Sequence, residues 1–179
     1  MSSIDPEKIK FKTLYSAEDI QKRIETLGAE ISKDLQGEPV MFISVLKGAI
    51  MFTADLMRSI KAPVTLDFIG VASYQGTTST GTVRITNDLS TDIRGKNVIV
   101  LEDIVDTGRT LDYLLRMLKQ RNPKTLKLCA LLNKPAAREI PVQVDYCGFE
   151  ISNQFVIGYG LDLDQRWREL PFIAQVYET

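Results

Sequence analysis

Three short runs, residues 40–46 (VMFISVL), 97–101 (NVIVL) and 126–132 (LKLCALL), are apolar at nearly every position instead of at alternate ones. A strand that reads this way is covered on both faces, the condition of a parallel sheet flanked by helices. Helical periodicity fills the gaps. Ile50, Leu56 and Ile60 recur after the first run, and Leu111, Leu114, Leu115 and Leu118 recur between the second and third, ending before Pro123. Strand, helix, strand is the βαβ unit, so the chain is read as an α/β fold.

The remaining elements follow the same logic. Ser16 and Asp19 have the spacing of a capping box, and Ile20, Ile24, Leu27 and Ile31 then mark one face of an opening helix that stops near Gly37. Residues 64–71 read as a further strand and residues 83–85 restart a β pattern, whereas 73–82 (SYQGTTSTGT) has no apolar periodicity and reads as a loop. After Lys134 the pattern is irregular, with short β candidates at 142–147 and 155–157. No repeat or linker divides the 179 residues, so residues 1–179 are expected to form a single domain.

The chain contains no histidine. Serine and cysteine nucleophiles paired with imidazole, the HExxH zinc site and any histidine base are excluded, leaving Asp, Glu, Lys or Tyr for proton chemistry. Lys and Arg total 22 against 23 Asp and Glu, a formal net charge of −1 that does not advertise the positive field of a nucleic-acid binder. The two cysteines, with apolar neighbours, read as reduced thiols of a cytoplasmic protein. Residues 1–14 alternate charged and apolar positions and do not read as a signal peptide, and residues 40–46 are too short to cross a bilayer.

Ligands of open α/β sheets bind beyond the C-terminal ends of the strands. The segment VIVLEDIVDTGRTL, residues 98–111, runs from a buried strand into Glu102 and Asp103, then through Asp106, Thr107, Gly108, Arg109 and Thr110 into a helix. Gly108, two hydroxyls and the free backbone NH groups of a helix N-terminus make an anion seat. Carboxylates beside such a seat suit ribose hydroxyls and Mg²⁺, so a sugar phosphate with a metal is one reading. Solvated acids at a strand end followed by a helix cap are the other. Neither a P-loop nor a dinucleotide fingerprint is present, because Asn97 follows Gly95-Lys96 and Gly158-x-Gly160 lacks a third glycine.

The segment resembles the 5-phosphoribosyl-1-pyrophosphate (PRPP) motif of the type I phosphoribosyltransferases. With Leu46-Lys47-Gly48, residues 128–134 and FVIGYGLDLDQRWREL at 155–170, the chain resembles the hypoxanthine-guanine phosphoribosyltransferases from about residue 40 to 170. The resemblance implies the type I phosphoribosyltransferase fold: a mainly parallel sheet flanked by helices, a small hood from the N-terminal segment and about 142–179, and a mobile lid at about 73–82 that begins with Ser73 and Tyr74. It implies transfer of the phosphoribosyl group from PRPP to N9 of a 6-oxopurine, releasing pyrophosphate, in a Mg²⁺-dependent homodimer or homotetramer that engages neither nucleic acid nor membrane.

On the matching positions Glu102 and Asp103 would hold the ribose hydroxyls and the metal, Asp106 would accept the purine's proton, and Thr107, Gly108, Arg109 and Thr110 would cradle the 5′-phosphate. Lys47 and Gly48, at a turn with a cis peptide in the family, would meet pyrophosphate together with Arg168. Lys134 would donate to the purine O6, Phe155 would stack on the base, and the Val156 backbone would read its edge. Asp162 would take a second metal or support the base. A same-fold transferase for xanthine or another base, or an RNA-binding regulator built on this fold, would share most of these features.

Overall fold

The computed structural model describes residues 9–73 and 83–178. Its central sheet is built from β2 (Val40–Leu46), β3 (Val64–Ser73), β4 (Val83–Asn87), β5 (Asn97–Val105), β6 (Thr125–Asn133) and β7 (Tyr146–Glu150). The spatial order is β4-β3-β2-β5-β6-β7, parallel throughout except for β4, which runs antiparallel to β3 at one edge. The three doubly apolar runs are adjacent central strands, as their patterning predicts.

Alternate residues of those strands feed two cores. Phe42, Ile99, Leu101, Cys129 and Leu131 pack with Ile20, Ile24, Leu27 and Ile31 of α1 (Ala17–Leu35) and with Phe52 and Leu56 of α2 (Ile50–Ser59). Met41, Ile43, Val98, Val100, Leu128 and Ala130 point the other way and meet Leu111, Leu114 and Leu118 of α3 (Arg109–Lys119). Helices therefore cover both faces, which is why the strand sequences do not alternate. The capping box at the start of α1 is formed: Ser16 accepts from the Asp19 backbone NH and Asp19 reaches back to the Ser16 NH.

A second, antiparallel sheet has the order β1-β9-β8, from β1 (Lys10–Tyr15), β8 (Val156–Ile157) and β9 (Ile173–Glu178). β1 and β9 carry no sequence signal strong enough to find, because each is stabilised by a partner from the opposite end of the chain. Several boundaries differ from the sequence expectation; β5, for one, runs past Leu101 to Val105 and carries Glu102 and Asp103 within the strand. Residues 142–145 are not strand: Asp145 pairs with Leu128 through both its NH and its side chain, Val142 and Val144 pack toward α3, and the ladder begins only at Tyr146. Tyr146–Glu150 accordingly joins the central sheet, so the small sheet draws on a narrower span than 142–179. β8 begins at Val156 and leaves Phe155 outside it.

Candidate active site

The C-terminal ends of β2, β5 and β6 deliver the polar residues. β5 stays buried through Leu101 and then emits Glu102 and Asp103, which are partly buried. Glu102 Oε2 is sealed from solvent with no hydrogen-bond partner among the described residues. Burial and the charge of its neighbour Asp103 push the Glu102 carboxyl well above the usual carboxylate range. Burial also raises Asp103, against which the Ile104 NH and the charge of Arg168 act in the opposite direction.

An unpartnered buried carboxylate destabilises the fold, and the sign of its pH dependence follows from the raised value. The penalty is absent below the ordinary carboxylate range and grows as pH rises through the folded-state value. Glu102→Gln is therefore expected to stabilise the ligand-free protein at neutral pH by about 1–2 kcal/mol. That advantage should fade in thermal melts taken below about pH 4.

The Leu46–Lys47 peptide is cis, as the resemblance implies, and the turn brings Gly48 against Asp103. A Cβ on Gly48 would overlap the Asp103 carboxylate, and one on Gly160 would overlap the Gly48 carbonyl. Only glycine permits these approaches. The loop between β8 and β9 closes over this turn. Arg168 donates to the Gly160 carbonyl at 2.6 Å and pairs with Asp162 at 2.7 Å, while Lys47 Nζ donates to Gln165 Oε1 at 3.2 Å. Asp162 also accepts from the Gln165 NH at 2.8 Å. Lys47, Gly48, Asp103, Asp162 and Arg168 thus form one connected cluster, tied together by Gln165 and Gly160.

Backbone strain gathers in the same loop. Among the described residues, six non-glycine positions have positive φ, and four of them are Tyr159, Asp164, Gln165 and Trp167. Each costs on the order of 1–3 kcal/mol and persists where surrounding contacts enforce it, a pattern typical of ligand sites. Tyr159 is held by its hydroxyl, which donates to Asp55 of α2 at 2.5 Å.

A second cluster begins at Asp106, three residues beyond Asp103. Asp106 is half exposed, and its carboxylate sits 3.6 Å from the ammonium of Lys134, a residue only 6% exposed at the end of β6. Gly108 caps α3 in the left-handed region at φ 85°, where a side chain would be strained and would strike the Ile140 carbonyl. α3 begins at Arg109, two residues before the apolar periodicity does; the Arg109 NH reaches Thr107 Oγ1 at 3.5 Å, and the Asp112 NH closes the first turn on the Gly108 carbonyl. The Arg109 side chain is exposed and pairs with Glu139 at 2.5 Å, leaving its backbone as the part directed to the seat. Thr107 is anchored by its carbonyl, which accepts from the Glu139 and Ile140 NH groups.

Phe155 is 49% exposed, and Val156 is buried and paired with Gln175. Ser73 is the last residue of β3, whereas Tyr74 and the rest of the expected lid lie outside the described residues. A surface hollow of about 660 Å³ lies elsewhere, lined by Leu126, Lys127 and Arg116 near the N-terminal ends of the strands, and includes none of these groups.

A family model for the phosphoribosyl transferase domain matches residues 10–164. The chain belongs to the phosphoribosyltransferase family. It is 47% identical over 168 residues to the hypoxanthine-guanine phosphoribosyltransferase of Mycobacterium avium, an alignment covering 90% of this chain and 83% of that one. A solved hypoxanthine phosphoribosyltransferase from Staphylococcus aureus superposes with a TM-score of 0.90 at 39% identity, covering 99% and 96% of the two chains. The Trypanosoma cruzi hypoxanthine phosphoribosyl transferase, in a structure concerned with the role of its C-terminal region in oligomeric state and activity, gives a TM-score of 0.90 at 42% identity, covering 97% and 94%. Gln165, Tyr159 and Gly160 escaped the sequence reading because their partners, Lys47, Asp55 and Gly48, are more than a hundred positions away.

Proposed function

We propose that the chain is a purine salvage enzyme that transfers the 5-phosphoribosyl group of PRPP to N9 of hypoxanthine or guanine and releases pyrophosphate. The observation that carries this reading is the Asp106–Lys134 pair, an acceptor and a donor 3.6 Å apart beside the anion seat of residues 107–110. A 6-oxopurine needs both: an ammonium to meet its carbonyl oxygen and a carboxylate to take its ring proton. The names of relatives that align along most of this chain, one a hypoxanthine-guanine and one a hypoxanthine phosphoribosyltransferase, support the same base class.

In this reading Thr107, Gly108, Arg109 and Thr110 hold the 5′-phosphate through backbone NH groups and hydroxyls. Lys47, Gly48 and Arg168 receive the pyrophosphate, Phe155 stacks on the base and the Val156 backbone reads its edge. Glu102 and Asp103 take the ribose hydroxyls. Together they also fit Mg²⁺, being hard oxygen donors, one with an oxygen that no described residue satisfies. No three potential ligands cluster among the described residues, which suits an ion that completes its shell with water and substrate oxygens. Asp162, held by Arg168 and Gln165, is the candidate for a second such ion or for base support. When bound there, such an ion would supply charge neutralisation to the pyrophosphate.

The small sheet serves as the hood of one domain. The enzyme works in the cytoplasm as a homodimer or homotetramer; two free thiols, Cys129 and Cys147, support the reducing compartment. No described helix is long and apolar enough to cross a membrane.

Steady-state nucleotide formation from PRPP and Mg²⁺, with hypoxanthine, guanine, xanthine, adenine and uracil offered separately, tests the assignment. Turnover of hypoxanthine or guanine that disappears with EDTA is expected. Preference for adenine or uracil would move the chain to another branch of the family.

A further inference from the structure

Arg138 lies behind both halves of the second cluster and has no assigned role. It follows the 3₁₀ turn Pro135–Ala137 that leaves β6. Its Nη2 donates to the Val105 carbonyl, immediately before Asp106, and to Asn133 Oδ1, immediately before Lys134. Its stem runs beneath the phosphate loop, where a Cβ on Gly108 would come within 3.1 Å of Arg138 Cδ. Its Nη1 is buried with no hydrogen-bond partner among the described residues.

A guanidinium in this position is costly. A buried donor without a partner is a penalty, and a buried charge is tolerated when an opposite charge is close. Among the described residues Arg138 forms no salt bridge within 4.0 Å, and the carboxylate whose field it feels is that of Asp106. Burial lowers the guanidinium, which still remains charged at any working pH. If the side chain only stapled the loop after β6 to the sheet, a neutral donor would satisfy the Val105 carbonyl and Asn133 without a charged group whose Nη1 is sealed from solvent.

We propose that Arg138 is a positioning residue of the transfer site, locking the ends of β5 and β6 so that Asp106 and Lys134 face one ligand, and placing a fixed positive charge beneath the phosphate seat. The inference deepens the functional reading above and rests on it for the identity of the base, though not for the phosphate. Two consequences follow. The Asp106 carboxylate keeps its place against the Lys134 ammonium because the backbone before one and the residue before the other are tied to the same guanidinium. An anion seated at residues 107–110 gains attraction from a cation that never touches it.

The test compares Arg138→Gln, which keeps a donor and removes the charge, with Arg138→Lys, which keeps the charge and loses the fork. Two readouts are needed: kcat with hypoxanthine and PRPP, and calorimetric affinity for ribose 5-phosphate, which does not depend on turnover. Arg138→Gln is expected to lower kcat by about 10- to 100-fold and ribose 5-phosphate affinity by about 10-fold, with the KM for hypoxanthine changed far less. Arg138→Lys should recover both to within a few-fold. A purely structural role predicts that Gln and Lys are impaired alike, in proportion to their loss of melting temperature, and that result would overturn the proposal. Parent-like values for Arg138→Gln in both assays would overturn it as well. If Arg138→Gln does not fold, Arg138→Lys decides alone: near-parental values support the charge, and a loss beyond tenfold refutes it. Should the parent protein turn over no 6-oxopurine, the functional reading fails while the ribose 5-phosphate comparison still judges Arg138.

Discussion

Asp106→Asn is expected to lower kcat by about 10²–10⁴-fold, the range for losing a general base, while the KM for PRPP changes by no more than a few-fold. Asparagine has the same shape and leaves Gly108, the Thr107 carbonyl anchors and the α3 N-terminus untouched. What it removes is the proposed proton acceptor and the ionic partner of Lys134. An effect confined to kcat would therefore report an interaction made as charge moves in the transition state. Equal losses in kcat and in PRPP affinity would assign Asp106 to the phosphate loop instead.

Lys134→Ala is expected to reduce kcat/KM for hypoxanthine and guanine by about 10²–10⁴-fold and to erase discrimination against a purine that lacks the 6-oxo group. Lys134 is only 6% exposed, so its ammonium is committed to the site and not to solvent. Deleting it leaves the 6-oxygen without a donor in a position shielded from water, the arrangement that gives the largest specificity losses. Because Lys134 and Asp106 interact directly, the double variant should lose less than the sum of the two single losses in free energy. Unchanged base preference in Lys134→Ala would show that the purine is read elsewhere, with Val156 the next backbone to examine.

The acid pair carries a trade between stability and function. Glu102 keeps a sealed oxygen that has no hydrogen-bond partner among the described residues, which is unfavourable in the ligand-free protein. Such a group is what a ribose and a cation would satisfy on binding, so a Glu102→Gln variant that melts higher and works worse would fit the proposed role.

The amino-acid sequence by itself determined the parallel sheet, the capped first helix and the segment from Glu102 to Thr110. Each is encoded within a short window: two-sided apolarity for the central strands, a 3.6-residue period for the helices, and one contiguous loop for the anion seat. Their stabilising contacts are local or follow from burial alone, so residue order suffices to read them. Lys47, Lys134 and Arg168 carried no such local signal; a lysine at a strand end is ordinarily solvated, and only the family resemblance singled them out. Tertiary structure alone decided what they meet. Lys134 reaches Asp106 because β6 lies beside β5, and Lys47 reaches Gln165 because the loop after β8 folds back over the cis turn. The same holds for β1 and β9, whose ladder joins the two ends of the chain, and for Arg138, whose fork bridges two strand ends that are adjacent only in the sheet. Pairings of this kind depend on which surfaces the packed core brings together, and that is a property of the whole chain.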